Sequence, residues 1–296
     1  MIGRRKSVGF DEFKRHFGSE VDCANFLLET RFASDFRCCA CGTLRRFKLY
    51  ISDYRLKCAG CSKAHYLRSG TMMEGSCLPL TTWFEAMWLL TVTRTGISTD
   101  LVSTHLGIGT KAALRMRRKI NEHMERLCNR DMLGLDRRLI CVGDVEIKGI
   151  RNSDMRGTRR TTIIGAWDGS RLVADTLPAR LPKHPLTFIK GCIAPGARIA
   201  SSDDNIYSLL RSRQYFNLAS KSDFAESPEF EKASLSLESH LKGLKRTILG
   251  THRQSKFDHL RLYVKEYEYR FLHRGRPSDM FWDLISTQPE IEELRY

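Results

Sequence analysis

Two Cys-x-x-Cys pairs constrain the fold of this 296-residue chain more than any other feature of its sequence. The pairs are Cys38–Cys41 and Cys58–Cys61, and the segment between them has the length found in zinc ribbons. Each Cys-x-x-Cys turn directs two thiolates toward one ion, so two turns complete a tetrahedral site. Because four protein ligands leave no open coordination position, the sequence predicts a structural Zn²⁺ site rather than a catalytic one. Its ligands are Cys38, Cys41, Cys58 and Cys61.

A neighbouring cysteine, Cys39, makes the register of the first pair ambiguous. We prefer Cys38 as the ligand because only Cys38 has the Cys-x-x-Cys spacing with Cys41. The alternative is a set of four unrelated buried thiols, which the doubled spacing disfavours. Between the two pairs, residues 47–52 and 54–57 are predicted to form two short strands.

The chain carries a large excess of basic residues. Its 49 Lys and Arg residues against 34 Asp and Glu residues give a formal net charge of +15. Nucleic acid is the usual partner of such a protein, since each phosphate neutralised by Lys or Arg releases counterions. The alternative is that these residues only keep the surface soluble, but they are clustered. One cluster contains Lys111, Arg115, Arg117, Arg118 and Lys119, and the other contains Lys242, Lys245, Arg246, Arg253 and Lys256.

The composition favours a globular cytoplasmic protein with no membrane partner. Hydrophobic residues make up 42% of the chain and charged residues 28%, which is the balance of a folded domain. The most apolar stretch, residues 83–92, is too short to span a bilayer. The basic N-terminus is not followed by the apolar core of a secretory signal.

The order of patterns along the chain predicts several regions. Residues 8–31 have the apolar spacing of one helix, and the segment after about residue 136 alternates strands and helices, which is typical of an α/β domain with a mixed sheet. The predicted regions are an N-terminal helical segment (1–35), the zinc ribbon (36–68), a DNA-binding region (79–130), an α/β domain (136–276) and a C-terminal tail (277–296).

The DNA-binding region has the pattern of a helix-turn-helix. Ser98 is a suitable N-cap for a short helix, a tight turn follows at residues 107–109, and Thr110 is placed to cap a longer basic helix. Lys111, Arg115 and Arg118 recur on one face of that helix, where they would contact DNA. An ordinary helical hairpin with a solvated basic face has the same pattern, so both interpretations stay open.

Three acidic residues have the placement that a two-metal phosphoryl-transfer site requires. Asp144 and Asp203 follow predicted strands, and Glu238 lies on a predicted helix. Carboxylate oxygens are the ligands that Mg²⁺ prefers, and two such ions can stabilise both the attacking and the leaving oxygen. Taken singly, each Asp can be a turn residue, and Glu238 can simply pair with Lys242 four residues later.

Several longer motifs resemble those of zinc-ribbon insertion-sequence transposases of the ISXO type. They occur in order along residues 20–275, together with the two cysteine pairs. They are Ser69-Gly-Thr, Leu78-Pro-Leu-x-x-Trp83, Thr110-Lys-Ala-Ala, Ala194-Pro-Gly, Leu244-Lys-Arg-x-x-Leu-Gly-Thr-His252 and His259-Leu-x-x-Tyr263-x-x-Glu266. The resemblance implies that residues 136–276 form a ribonuclease-H-like catalytic domain with an acidic triad and a downstream lysine.

The resemblance also implies the roles of individual residues. Asp144, Asp203 and Glu238 would bind two catalytic Mg²⁺ ions, and Lys245 would contact a phosphate near the cut. The family usually has a second acid beside the first Asp, whereas Val145 occupies that position here and Glu146 follows it. Asp204 adjoins Asp203 and is the alternate second acid.

A DNA transposase is therefore the function that the sequence predicts. It would bind terminal inverted repeats of double-stranded DNA through Lys111, Arg115, Arg118, Lys242 and Arg246, then cleave and join strands as a homodimer or larger assembly. Three alternatives remain. They are a catalytically decayed relic that only binds DNA, a structure-selective nuclease, and an RNA-binding zinc ribbon, which is disfavoured because the sequence shows no aromatic RNA-binding surface.

Overall fold

The computed structural model divides into two compact units. The first contains Met1–His123 and Arg276–Tyr296, and the second contains Met124–Gly275. The structure describes residues 8–32, 36–44, 46–93, 96–128, 131–136, 138–151, 158–177, 183–201, 217–218, 228–251 and 257–287. No helix within these ranges is both long enough and apolar enough to cross a membrane.

The first unit begins with two helices, α1 (Phe10–Phe17) and α2 (Glu20–Arg31), where the sequence pattern predicts a single helix over 8–31. A capping box separates them. The Ser19 side chain accepts a hydrogen bond from the Asp22 amide at 3.2 Å, and the Asp22 carboxylate accepts one from the Ser19 amide at 3.1 Å. This reciprocal pair satisfies free amides at a helix start, so it begins a new helix inside a continuous apolar pattern.

Three strands form the predicted ribbon, and three helices follow it. The antiparallel strands are β1 (Phe47–Tyr50), β2 (Arg55–Cys58) and β3 (Ala64–Tyr66), of which the sequence pattern predicts only the first two. The helices are α3 (Leu80–Val92), α4 (Thr99–Leu106) and α5 (Thr110–Cys128), and α5 continues past the boundary between the units.

Residues after 276 form more than the predicted tail, because they contain helix α9 (Asp279–Ser286). This helix packs against α3 in the first unit. Its Phe281 ring lies 5.8 Å from both the Phe13 and the Phe17 rings, measured between centroids. Burial of these aromatic groups ties the end of the chain to the N-terminal helices.

A carboxylate from another helix caps the N-terminus of α3. Pro79 precedes this helix and provides no side-chain hydrogen bond. The Glu20 carboxylate on α2 instead accepts hydrogen bonds from the amides of Leu80 and Thr81 at 3.0 and 2.8 Å. It also accepts hydrogen bonds from the Thr81 hydroxyl at 2.6 Å and from the Tyr54 phenol of the ribbon. One side chain therefore joins α2, the ribbon and α3.

We expect Glu20→Ala to lower the free energy of unfolding of the first unit by about 2 kcal/mol, because two partly buried amides lose a charged acceptor. Burial alone would raise the pKa of Glu20, but hydrogen bonds from Thr81 and Tyr54 outweigh it and lower the pKa below its ordinary value near 4.5. The stabilisation is therefore complete above pH 4.5 and declines as the pH falls below it.

Denaturant unfolding of wild type and variant at neutral and acidic pH measures this effect. The difference between the two proteins should shrink as Glu20 becomes protonated. Glu29→Ala serves as the control, because Glu29 lies on the same helix and is exposed. A Glu20 variant as stable as the control would contradict the assignment.

The second unit contains a five-stranded mixed sheet, which confirms the predicted α/β class. Its strands lie in the order β6-β5-β4-β7-β8, with β4, β5 and β6 antiparallel and with β7 and β8 parallel to β4. They are β4 (Ile140–Arg151), β5 (Thr158–Trp167), β6 (Leu172–Leu177), β7 (Arg198–Ser201) and β8 (Asn217–Leu218). The helices are α6 (Lys183–Cys192), α7 (Pro228–Thr251) and α8 (Phe257–Leu272).

Helices cover both faces of this sheet. Leu237, Leu241, Leu244 and Ile248 of α7 recur at three- and four-residue spacing and pack on one face together with α8. Ile189 of α6 packs on the other face. Gly165 allows α7 to approach closely, since a Cβ at this position would lie 2.9 Å from the Leu241 side chain.

Candidate functional sites

The four predicted cysteine ligands converge in the ribbon. Their sulfur atoms all lie within 4.8 Å of one another, and Cys39 is not part of the group. The Sγ atoms of Cys38 and Cys61 are 3.6 Å apart, and those of Cys41 and Cys58 are 3.7 Å apart. A tetrahedral ion with Zn–S bonds of about 2.3 Å requires sulfur separations of about 3.8 Å, whereas a disulfide requires about 2.05 Å. The cluster therefore has the donors and the spacing to bind zinc.

Both cysteine turns have the same backbone geometry. In the first, the Cys38 carbonyl accepts a hydrogen bond from Gly42, and in the second, the Cys58 carbonyl accepts one from Ser62. Gly42 and Ser62 have φ values of 69° and 61°, which the chain needs in order to fold each turn back toward the ion. In the second turn a Cβ at Gly60 would lie 2.4 Å from the Thr43 hydroxyl, so only glycine fits.

The surroundings of the sulfur atoms shift the thiols in opposite directions. Hydrogen bonding with Thr43 lowers the pKa of the Cys41 thiol to about 6. The Cys61 thiol receives a backbone hydrogen bond from Lys63 that lowers its pKa, but the neighbouring cysteine sulfur atoms raise that pKa to about 12. His65 lies 3.5 Å from the Cys38 Sγ atom, and burial keeps the pKa of its ring below the ordinary value. A neutral imidazole can donate its N–H group to a thiolate and orient it.

Asp144 lies inside β4 and not at its end as the sequence pattern predicts. Side chains alternate along a strand, and Val142 belongs to the core on the α6 face. Asp144 and Glu146 therefore share the α6 face, on which Asp144 is exposed. Glu146 departs from the family pattern, in which the second acid adjoins the first Asp, but the period of the strand places its carboxylate on the same side as that of Asp144.

The parallel neighbour of β4 is described only up to Ser201. Val142 pairs with Ser201, the last residue of β7. The predicted second acid, Asp203, and its alternate, Asp204, lie outside the described residues. Among the described residues, only the four cysteines form a convergent group of three or more metal-ligating side chains.

Glu238 lies on the exposed side of α7, next to the buried stripe. Its carboxylate forms an ion pair with the Lys242 ammonium at 2.6 Å, with side-chain exposures of 58% and 63%. An exposed ion pair of this kind contributes little to stability, so the pair does not by itself explain why a glutamate occupies position 238. Leu237, the residue before Glu238, packs over Gly143, the residue before Asp144, because a Cβ at Gly143 would lie 3.3 Å from the Leu237 side chain. The helix that carries Glu238 therefore packs on the face of β4 opposite to the one that Asp144 shares with Val142.

The basic residues of α7 follow the same exposed side. Lys245 comes seven residues after Glu238, which is about two helical turns along the same side. Lys242 and Arg246 are exposed, and Lys245 is half-buried. Arg253 and Lys256 of this predicted cluster lie outside the described residues.

The basic cluster on α5 is smaller than the sequence analysis predicts. Lys111, Arg115 and Arg118 are exposed, although Arg118 forms an ion pair with Glu122 at 2.9 Å. Arg117, which the sequence analysis includes in the cluster, is 2% exposed and donates a hydrogen bond to the Ile97 carbonyl. Its guanidinium thus stabilises the segment before α4, and it is not available to a nucleic acid.

Local details of the two helices differ slightly from the prediction. Ser98 caps α4 as predicted, accepting a hydrogen bond from Leu101 at 3.2 Å. Gly107 ends α4 in the left-handed conformation, with φ of 63°. Thr110 is the first residue of α5, so it does not precede the helix as a cap.

The second unit is a mixed α/β domain with an exposed aspartate, Asp144, on its central strand β4 and an exposed glutamate, Glu238, on helix α7. Residues 143–271 match the family model described as the ISXO2-like transposase domain. The predicted resemblance to ISXO-type transposases is therefore confirmed over these residues.

Other comparisons are less informative. No curated protein matches the chain. Among solved structures, a chain from the crystal structure of a pre-cleavage Mos1 transpososome aligns over 69% of this chain and 77% of its own length, with 10% sequence identity and a TM-score of 0.28. A superposition this loose supports no conclusion.

Proposed function

We propose that this protein is an insertion-sequence transposase that binds terminal inverted repeats and catalyses Mg²⁺-dependent DNA strand cleavage and strand transfer. The family match over residues 143–271 is the observation that carries this proposal, because it spans both Asp144 and Glu238. The antiparallel β4, β5 and β6 followed by parallel β7 and β8 support the ribonuclease-H-like architecture that the resemblance implies.

In this proposal, Asp144, Asp203 and Glu238 hold two Mg²⁺ ions. When bound, such ions lower the pKa of water and neutralise charge on the phosphate. Asp203, with Asp204 as its alternate, comes two positions after Ser201, the last described residue of β7.

The side chains of this site position the DNA and do not form a covalent intermediate. Lys245 would bind a phosphate oxygen near the cut through its ammonium group. Catalysis then comes from orientation and from charges fixed before the reaction, so it needs no nucleophile from the protein. The cleaved end, once freed as a 3′-hydroxyl, would remain in the site for attack on target DNA.

Recognition of the DNA ends is assigned to the first unit and to the basic side of α7. Helices α4 and α5 would act as a helix-turn-helix, with Lys111, Arg115 and Arg118 facing the DNA. Lys242 and Arg246 would contact the backbone near the catalytic site. Because both ends of an element are joined, a homodimer or larger assembly is expected.

Incubating the protein with a duplex that carries the element's end tests the proposal. We expect Mg²⁺-dependent nicking and a joined product with target DNA, neither of which forms without the metal. Nicking without any joined product would instead indicate a structure-selective nuclease. Binding without either product would indicate a decayed transposase.

A further inference from the structure

The outer face of the ribbon sheet brings together basic and aromatic side chains that are separated in sequence. The alternation of strands places Leu49 and Leu56 on the inner side. The opposite side of the same strands, here called the outer face, consists of Lys48, Tyr50, Arg55, Lys57 and Tyr66. The β1–β2 turn and the second cysteine turn separate these residues along the chain, so they come together only when the three strands pair.

Two lysines of the outer face lie directly opposite each other. Lys48 is the cross-strand partner of Lys57, and both are exposed. Neither has an ion pair within the described part of the chain. Like charges at directly opposite positions destabilise a sheet. A bound polyanion would remove this repulsion by neutralising both ammonium groups.

The two tyrosines lie beside these cations. The Tyr50 ring has the Lys48 ammonium at 5.3 Å and the Arg55 guanidinium at 5.1 Å from its centroid. Tyr66 is the cross-strand partner of Arg55 and is 46% exposed. Asp53 forms the one acidic contact with this face among the described ion pairs, at 3.2 Å from Arg55. Aromatic rings interspersed with cations can stack on bases while the cations contact the phosphates.

We propose that the outer face of the ribbon binds single-stranded DNA. Stacking on a tyrosine requires an unpaired base, because the faces of paired bases are covered by their neighbours. A face about 13 Å long and about 10 Å wide accommodates a few nucleotides and cannot follow a duplex groove. The choice of DNA over RNA rests on the proposed transposase function, whose substrate is DNA.

Fluorescence anisotropy on the full-length protein measures this binding directly. The probe is a labelled oligothymidylate of about 12 nucleotides, in buffer without added Mg²⁺, so that no catalytic step contributes. We expect Tyr66→Ala and Tyr50→Ala each to weaken binding about tenfold, which corresponds to the loss of one stacked base. Tyr66→Phe should retain wild-type affinity because the ring remains.

Charge reversal separates binding from folding. Lys48→Glu should weaken oligothymidylate binding but leave the melting temperature unchanged or higher, since it replaces a like-charge pair with an opposite-charge pair. Lys232→Glu makes the same change of charge on α7, at an exposed position outside the outer face, and should bind the probe as the wild type does. If Lys48 were important only for folding, its substitution would lower both the affinity for oligothymidylate and the melting temperature.

The location of the bound strand is tested by photo-crosslinking with an oligonucleotide that contains 5-iodouracil. Crosslinks to Tyr50 or Tyr66 support the proposal. Ala variants that bind the probe as tightly as the wild type overturn it. So does a duplex of the same length that competes at least as well as the single strand, or an RNA of the same sequence that binds more tightly.

These outcomes are independent of the catalytic assay. If the wild type cleaves and joins DNA but the outer-face variants bind single strands normally, only this inference fails. If single-strand binding depends on the outer face but the protein neither cleaves nor joins DNA with Mg²⁺, the proposed catalytic function fails and the inference that this face binds single strands holds.

Discussion

Asp144→Asn is expected to reduce Mg²⁺-dependent cleavage and joining by about 10³-fold or more, because a neutral amide replaces a charged metal ligand and several kcal/mol of transition-state stabilisation are lost. DNA binding and the melting temperature should change little, since Asp144 is exposed on its strand. A time course of nicked and joined products, run beside thermal unfolding, separates lost chemistry from lost folding.

Glu231→Gln is the matched control for this experiment, because it removes an exposed carboxylate from the first turn of α7 outside the proposed site. Activity should match that of the wild type. Undiminished joining by the Asp144 variant would reject Asp144 as a ligand.

The same assay decides between the two interpretations of Glu238. If Glu238 serves only to pair with Lys242, Glu238→Gln should change neither stability nor activity appreciably, since exposed pairs contribute about 0–1 kcal/mol. If it binds metal, Glu238→Gln should lose activity to the same degree as Asp144→Asn. Lys242→Ala breaks the same ion pair. This variant should then retain cleavage and joining activity and lose only affinity for DNA.

Removing the ribbon's metal should have the largest effect on folding. Structural zinc sites contribute on the order of 10 kcal/mol to the stability of small domains. Cys58→Ser, or a chelator added to the wild type, should therefore unfold β1, β2 and β3. The second unit should remain folded, because its sheet has separate apolar cores on its two faces.

Cys39→Ser is an internal control for the zinc site, since Cys39 is adjacent to a ligand, is exposed and lies outside the sulfur cluster. Metal content, limited proteolysis of the ribbon and circular dichroism should match the wild type for this variant and should all change for Cys58→Ser. A ribbon that stays protected from protease after its metal has been removed would contradict a structural zinc site.

Features with short-range causes could be predicted from the sequence. The candidate zinc ligands follow from the fixed geometry of two Cys-x-x-Cys turns, and the preference for Cys38 over Cys39 agrees with the observed cluster. The buried stripe of α7 follows from the helical period of Leu237, Leu241, Leu244 and Ile248. Ser98 was recognisable as a cap because capping depends on the next three residues.

Other features were decided by residues that are distant in sequence. Arg117 has the same local pattern as its exposed neighbours, yet it is buried because its guanidinium reaches the Ile97 carbonyl. No local sequence pattern predicts that Glu20 caps α3, since its partners Leu80 and Thr81 lie far along the chain. The elements that surround Asp144 likewise depend on the order of the strands in the sheet, which no local sequence pattern specifies.

The sequence alone determined the two cysteine turns, the periods of the helices and strands, and the family resemblance, because each depends on residue types at short fixed spacings. The tertiary structure decided which charged groups are buried, which helix caps which, and which side chains share a face. Those outcomes depend on chain segments that meet only after folding, where burial and pairing set the free energy of each group.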